Sequence, residues 1–171
     1  MLDLLRAGQA QFGVADVATR AGVHRATIYR RWPSRAHLLR EALTLHTETV
    51  QVPDTGRWDR DVRALCVELA GVFSDPLEMA MNRALVSGDD PELNSVLLEH
   101  WLPLYRRLAA VVTRAIDRGE VRQGTDPVLV LDMLTSPLLM RTTLFGARPA
   151  AQEVRSLADA VVRSFAAGRG D

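Results

Sequence analysis

Val14-Ala15-Asp16-Val17-Ala18-Thr19-Arg20-Ala21-Gly22-Val23-His24-Arg25-Ala26-Thr27-Ile28-Tyr29-Arg30-Arg31-Trp32 is the stretch that decides how the N-terminal part of this chain folds. Ala18 is small where two helices would cross, and a larger side chain there would push them apart. Gly22, four residues on, can take the positive φ that a tight turn needs. Ile28, six residues further, is placed to pack back into the crevice with Val17, Ala21 and Val23. A small residue, a glycine and a branched apolar residue in this order predict two short helices, 14–21 and 25–31, at a steep angle. The pattern is that of a helix-turn-helix. Its second helix presents His24, Arg25, Thr27, Arg30 and Arg31, with Tyr29 beside them.

Charge supports the same reading. The 171 residues carry 21 basic and 21 acidic side chains, and every basic one is arginine. Residues 16–40 hold six arginines and one acid, net +5, so the remainder of the chain carries the compensating negative charge. A basic head on an acidic body is suited to meeting a polyanion. Recognition helices enter the major groove by their N-terminal residues. Arg25 can fork onto guanine N7 and O6, and Thr27 can touch a thymine methyl or a phosphate. Tyr29 and Arg35 suit backbone phosphates, which position a protein without reading sequence.

The residues that follow add a resemblance. Ala26-Thr27-Ile28-Tyr29-Arg30-Arg31-Trp32-Pro33-Ser34-Arg35, then Leu38-Leu39 and Ala42-Leu43, closely resemble the TetR family of bacterial transcriptional regulators over about residues 12–46. The resemblance implies an all-α fold: an N-terminal three-helix DNA-binding domain, 1–46, and a C-terminal helical domain, 47–171, for effector binding and dimerisation. It implies double-stranded operator DNA and a second copy of the chain as partners, a small-molecule effector, and repression relieved by that molecule. Two departures from the family pattern stand out. Only Leu2 to Gly8 represent the family's longer first helix, so part of that helix is expected to lie outside this sequence. Gly13 stands where the next helix normally has a capping Ser or Thr; glycine caps less well.

Beyond the head, helix signals dominate. Asp75-Pro76, Asp90-Pro91 and Asp126-Pro127 each set a carboxylate before a proline at a helix start. Helices are predicted near 2–8, 14–21, 25–31, 34–50, 58–73, 76–87, 91–118, 127–145 and 150–167, with Pro137 disturbing the eighth and 34–50 as a rod from head to body. Residues 91–118 and 127–145 are apolar on more than one face. Trp58, Cys66, Phe73, Met79, Met81, Trp101 and Tyr105 are candidates to line an apolar effector pocket, with plain core as the alternative for each. Leu131, Leu134, Leu138, Phe145, Leu157, Val161 and Phe165 repeat at helical spacing. They suit a four-helix bundle across a two-fold axis, or burial within one copy.

Other classes find little support. The longest apolar run, Leu108 to Val112, is far short of the roughly 20 residues of a membrane span. With a single cysteine, Cys66, and scattered His24, His37, His46 and His100, neither a disulfide nor a metal centre is expected, and a cytoplasmic location fits. No phosphate-cradling glycine loop, His-Glu-x-x-His or Gly-x-Ser-x-Gly motif is present, so an enzyme is not expected, and no cofactor. The alternatives to a ligand-released repressor are a DNA-binding regulator without a small-molecule effector, or one controlled by a protein partner. An α-helical enzyme or carrier with a vestigial head is more distant.

Overall fold

Helix starts follow the local chemistry of the chain. In the computed structural model, Asp126 accepts a hydrogen bond from the Val128 amide at 2.8 Å with Pro127 at the first helical position. Asp90 does the same for Leu93 at 3.0 Å, just ahead of Pro91. At two of the starts without a capping side chain, Gly13 and Ala150, a carboxylate three residues on reaches back to the backbone amide. Asp16 accepts from Gly13 and Glu153 from Ala150, both at 2.8 Å. The glycine departure noted from the sequence is thus compensated from inside the helix.

The structure describes residues 1, 3–4, 12–47 and 49–168. Among them the helices are α1 (Val14–Ala21), α2 (Arg25–Arg31), α3 (Arg35–Thr47), α4 (Trp58–Phe73), α5 (Pro76–Ser87), α6 (Pro91–Asp117), α7 (Pro127–Leu139) and α8 (Ala151–Phe165). Asp3 and Leu4 are also helical; most of the predicted helix at 2–8 lies outside the described residues. The only β pairing among the described residues is an isolated bridge between Val121 and Ala166. The fold is all-α, with a helical N-terminal bundle and a helical C-terminal part. Where one helix was predicted over 127–145, α7 carries Pro137 in its interior and gives way at Met140 to a π-helical turn, Met140–Leu144. There the Phe145 amide donates to the Met140 carbonyl, five residues back.

The chain divides into two compact units that do not follow sequence order. The first comprises residues 1–49 and 76–102, the second residues 50–75 and 103–171. In the first unit, Val14, Val17 and Ala18 of α1, Ile28 of α2 and Leu38, Leu39 and Leu43 of α3 share one core with Leu77 and Met81 of α5 and Leu93, Val96 and Leu97 of α6. In the second, α4 packs chiefly on α8 and also on α7, burying Val62, Leu65, Leu69 and Phe73. The division predicted from the sequence at 46/47 falls close to the end of α3, but α5 and the first part of α6 group with the N-terminal helices. The rod predicted over 34–50 ends at Thr47, inside the first unit; α6 is the helix whose residues belong to both.

The linker 50–57 is held within the second unit by side chains. Arg107 donates to the Val50 carbonyl at 3.2 Å, and Arg114 pairs with Asp54 at 3.3 Å. Asp61, fully buried, accepts from the Thr55 amide at 2.7 Å and hydroxyl at 2.6 Å and pairs with Arg118 at 3.4 Å. A buried carboxylate needs such partners, because leaving it unpaired costs several kcal/mol.

Candidate nucleic-acid interface

Ala18 is 2% exposed, as a crossing point requires. After α1, Gly22 takes φ +65°, and the Val23 amide donates back to the Ala18 carbonyl at 3.1 Å. This left-handed closure turns the chain into α2 within three residues, Gly22 to His24. Only Ile28 of α2 is buried. The crevice partners differ from the expectation: Val17 is buried, but Ala21 and Val23 are exposed. Their places in the core are taken by residues of α3, α5 and α6, helices whose proximity in space is not visible in a short sequence window.

With Ile28 facing inward, His24, Arg25, Thr27, Tyr29, Arg30 and Arg31 are all exposed. No acidic residue lies on α2. The C-terminal end of the helix is fastened to α3. Glu41 accepts from the Trp32 indole at 2.6 Å and from the Arg31 guanidinium at 2.8 Å, while Arg31 lies 5.0 Å over the Trp32 ring. Arg35 is placed differently from the other nominated residues. Its side chain is 14% exposed and pairs with Asp90 at 2.8 Å and Glu92 at 3.1 Å, with the Phe12 ring 5.0 Å away. The sequence shows a basic residue in a basic segment; it does not show two carboxylates more than fifty positions away.

Comparison with known proteins agrees with this geometry. The profile described as bacterial regulatory proteins, tetR family, matches residues 4–42, and that described as Tetracyclin repressor-like, C-terminal domain, matches residues 52–161. The chain belongs to the TetR family of bacterial transcriptional regulators. It is 36% identical over 130 residues to the HTH-type transcriptional regulator AqdR of Rhodococcus erythropolis, a match covering 75% of this chain and 63% of that one. It is 32% identical over 149 residues to the DNA-binding transcriptional repressor TetR of Mycobacteroides abscessus, covering 84% of this chain and 77% of that one. The crystal structure of a TetR transcriptional regulator from Agrobacterium tumefaciens superposes with a TM-score of 0.80 at 18% identity, over 98% of this chain and 91% of that one. TetR-family regulators are DNA-binding proteins, not enzymes. Among the described residues no His, Cys, Asp and Glu group is placed to hold a metal ion, and no helix is long and apolar enough to cross a membrane.

In this TetR-family chain the residues nominated for an effector pocket divide between the two units. Trp58, Cys66, Phe73 and Tyr105 lie in the second; Met79, Met81 and Trp101 lie in the first. Trp58 is buried, its indole donating to the Val162 carbonyl at 3.2 Å and its amide to Glu120. Cys66 and Phe73 are core residues of α4, and burial pushes the Cys66 thiol up to about 11. Tyr105 is half-buried; its hydroxyl donates to Asp132 at 2.9 Å and lies 2.8 Å from the Thr135 hydroxyl. A cleft of about 180 Å³ in the second unit is lined instead by Pro137, Leu138, Arg141, Pro149, Glu153 and Leu157.

The residues nominated for contact between copies are mostly covered by their own unit. Leu131, Leu134, Leu138, Val161 and Phe165 are buried within the unit itself, and Leu157 is half-buried. Of that set only Phe145 is well exposed, at 69%. The exposed apolar residues of this region also include Val128; among them Leu129, Met133, Met140 and Leu144 share one face at steps of four, seven and four. The sequence shows apolar residues on more than one face of 127–145; periodicity does not say which face the unit itself covers.

Proposed function

We propose that this protein is a homodimeric, operator-binding transcriptional repressor, released from DNA by a small, largely apolar ligand. The observation that carries the DNA-binding part is the outward face of α2, where six side chains capable of contacting DNA surround a single buried anchor, Ile28. Arg25 and Thr27, nearest the start of α2, read base edges; Tyr29, Arg30 and Arg31 contact phosphates. Repression is supported by the name of the M. abscessus relative. Function on DNA places the protein in the cytoplasm.

Dimerisation uses the exposed face of Leu129, Met133, Met140 and Leu144 with Phe145, the apolar surface that the second unit leaves uncovered. Two copies related by a two-fold axis present two α2 helices, so the operator is an inverted repeat with half-site centres about 34–36 Å apart or a multiple of that. The effector part rests on family membership. Such a ligand acts only by binding the released conformation better than the DNA-bound one. Coupling of about 1–3 kcal/mol lowers operator affinity roughly 5–150-fold, and DNA weakens the ligand by the same factor.

Nuclease footprinting on the DNA upstream of the protein's own coding sequence tests the proposal. Two protected, inverted half-sites support it; protection no stronger than on random DNA contradicts it. Calorimetry of compounds found by thermal shift, with and without that DNA, tests the effector part. Equal affinities in the two titrations remove a compound as an effector.

A further inference from the structure

We infer that Arg35, with Asp90 and Glu92, is a positioning residue for the recognition helix rather than a phosphate contact; this rests on the DNA-binding role proposed for α2.

Arg35 is the first residue of α3, in a first helical turn that has no acidic residue. A cation is disfavoured there because the helix N-terminus carries partial positive charge. Asp90 and Glu92, in the first turn of α6 and just before it, supply the missing negative charge, at 2.8 and 3.1 Å from two different guanidinium nitrogens. The fork of an arginine can serve two carboxylates at once; a lysine ammonium lacks that fixed geometry. Arg40 repeats the connection further along the same two helices, pairing with Glu99 at 2.9 Å.

Asp90 does two things. It caps α6 through the Leu93 amide and holds Arg35, and its side chain is only 18% exposed. Burial pushes its carboxyl up, but the Arg35 guanidinium and the Leu93 amide outweigh that and hold it below the ordinary aspartate value. The ionised, paired form is therefore the one present near neutral pH.

The tie reaches α2 by a short path. Only Pro33 and Ser34 separate Trp32 from Arg35. From the other side, Glu41 of α3 grips Trp32 and Arg31 at the end of α2. The start of α6 thus fixes the start of α3, and α3 fixes the end of the recognition helix, all inside the first compact unit. A guanidinium 14% exposed and held between two carboxylates presents little surface to a phosphate.

The sign of the effect of Asp90→Asn separates the two roles. Asparagine caps a helix about as well as aspartate, so the variant removes the charge and keeps the cap. If Arg35 contacted phosphate, removing a competing carboxylate near DNA would leave binding unchanged or tighten it. As a positioning pair, its loss weakens binding to the upstream duplex relative to a random duplex by roughly fivefold or more, with the salt slope unchanged. Arg35→Lys, which keeps the charge but not the fork, shows the same loss.

Amide hydrogen exchange on the full chain provides a readout without DNA. Faster exchange over residues 29–39 in Asp90→Asn, with residues 58–73 unchanged, is expected; exchange equal to wild type there overturns the inference. Tighter or unchanged DNA binding by Asp90→Asn, with near wild-type binding by Arg35→Lys, also overturns it. If the wild-type chain does not distinguish the two duplexes, the DNA-binding proposal fails, and hydrogen exchange still decides whether the pair positions α2.

Discussion

Ala18 and Ala21 both lie on α1, yet the structure gives them opposite surroundings, so replacing each with leucine tests the helix crossing directly. Ala18 is 2% exposed, whereas Ala21 is exposed beside the turn at Gly22. Alanine and leucine have similar helix propensity, so the local cost of either change is small. At position 18 the added carbons enter the space between α1 and the core that includes Ile28 and Leu39. Overpacking of this kind costs about 1–3 kcal/mol. In a chain of this size each kcal/mol corresponds to about 2–4 °C in Tm, so the fall is about 2–12 °C. At position 21 the change stays within about 0.5 kcal/mol of zero. Urea denaturation gives the two stabilities, and hydrogen exchange over residues 12–43 places the loss in the first unit. Operator affinity falls with Ala18→Leu, because α2 is displaced, and holds with Ala21→Leu. Equal destabilisation by the two substitutions would refute the crossing geometry.

Leu144→Glu or Met133→Glu gives folded monomers in light scattering, while Leu138→Glu, which buries a charge in the unit's own core, unfolds the second unit; a dimeric Leu144→Glu protein would remove that face from the interface. The Cys66 thiol, pushed up to about 11 by burial, resists a thiol reagent at pH 8 and reacts fully once urea unfolds the chain; rapid reaction with the native protein would contradict its placement. Burial, ahead of the Asp132 carboxylate, pushes the Tyr105 phenol up to about 12. Unfolded tyrosine releases its proton near 10 while the folded one keeps it, so this contribution is intact below pH 10 and is lost as pH rises from 10 to about 12. A Tyr105→Phe chain whose stability falls equally steeply over that range would contradict this.

The helices were legible where local chemistry sets them. Asp90-Pro91 and Asp126-Pro127 mark the starts of α6 and α7, Gly22 marks the turn, and the predicted spans of α1, α2, α4 and α5 agree with the structure. Ala18 and Ile28 were legible because a helix-turn-helix constrains their size as well as their hydrophobicity. What local pattern does not contain is which distant segment lies alongside. Arg35 reads as one more arginine of a basic segment until Asp90 and Glu92 arrive in space. Leu131 and Leu138 read the same as Leu129 and Met133 until α4 and α8 cover one face of α7 and leave the other. Grouping of α5 and the start of α6 with the N-terminal helices likewise depends on long-range packing.

Fluorescence anisotropy with Arg25→Ala is the most direct test of α2 as the reading helix. Wild-type and variant chains are titrated against a labelled duplex from the protein's own upstream region and against a random duplex of equal length, across a salt series. Loss of one bidentate base contact weakens binding to the upstream duplex by about 1–3 kcal/mol and relaxes the preference at one base pair. Binding to the random duplex changes much less. Equal loss on both duplexes, or no loss on either, would contradict the assignment of sequence reading to α2.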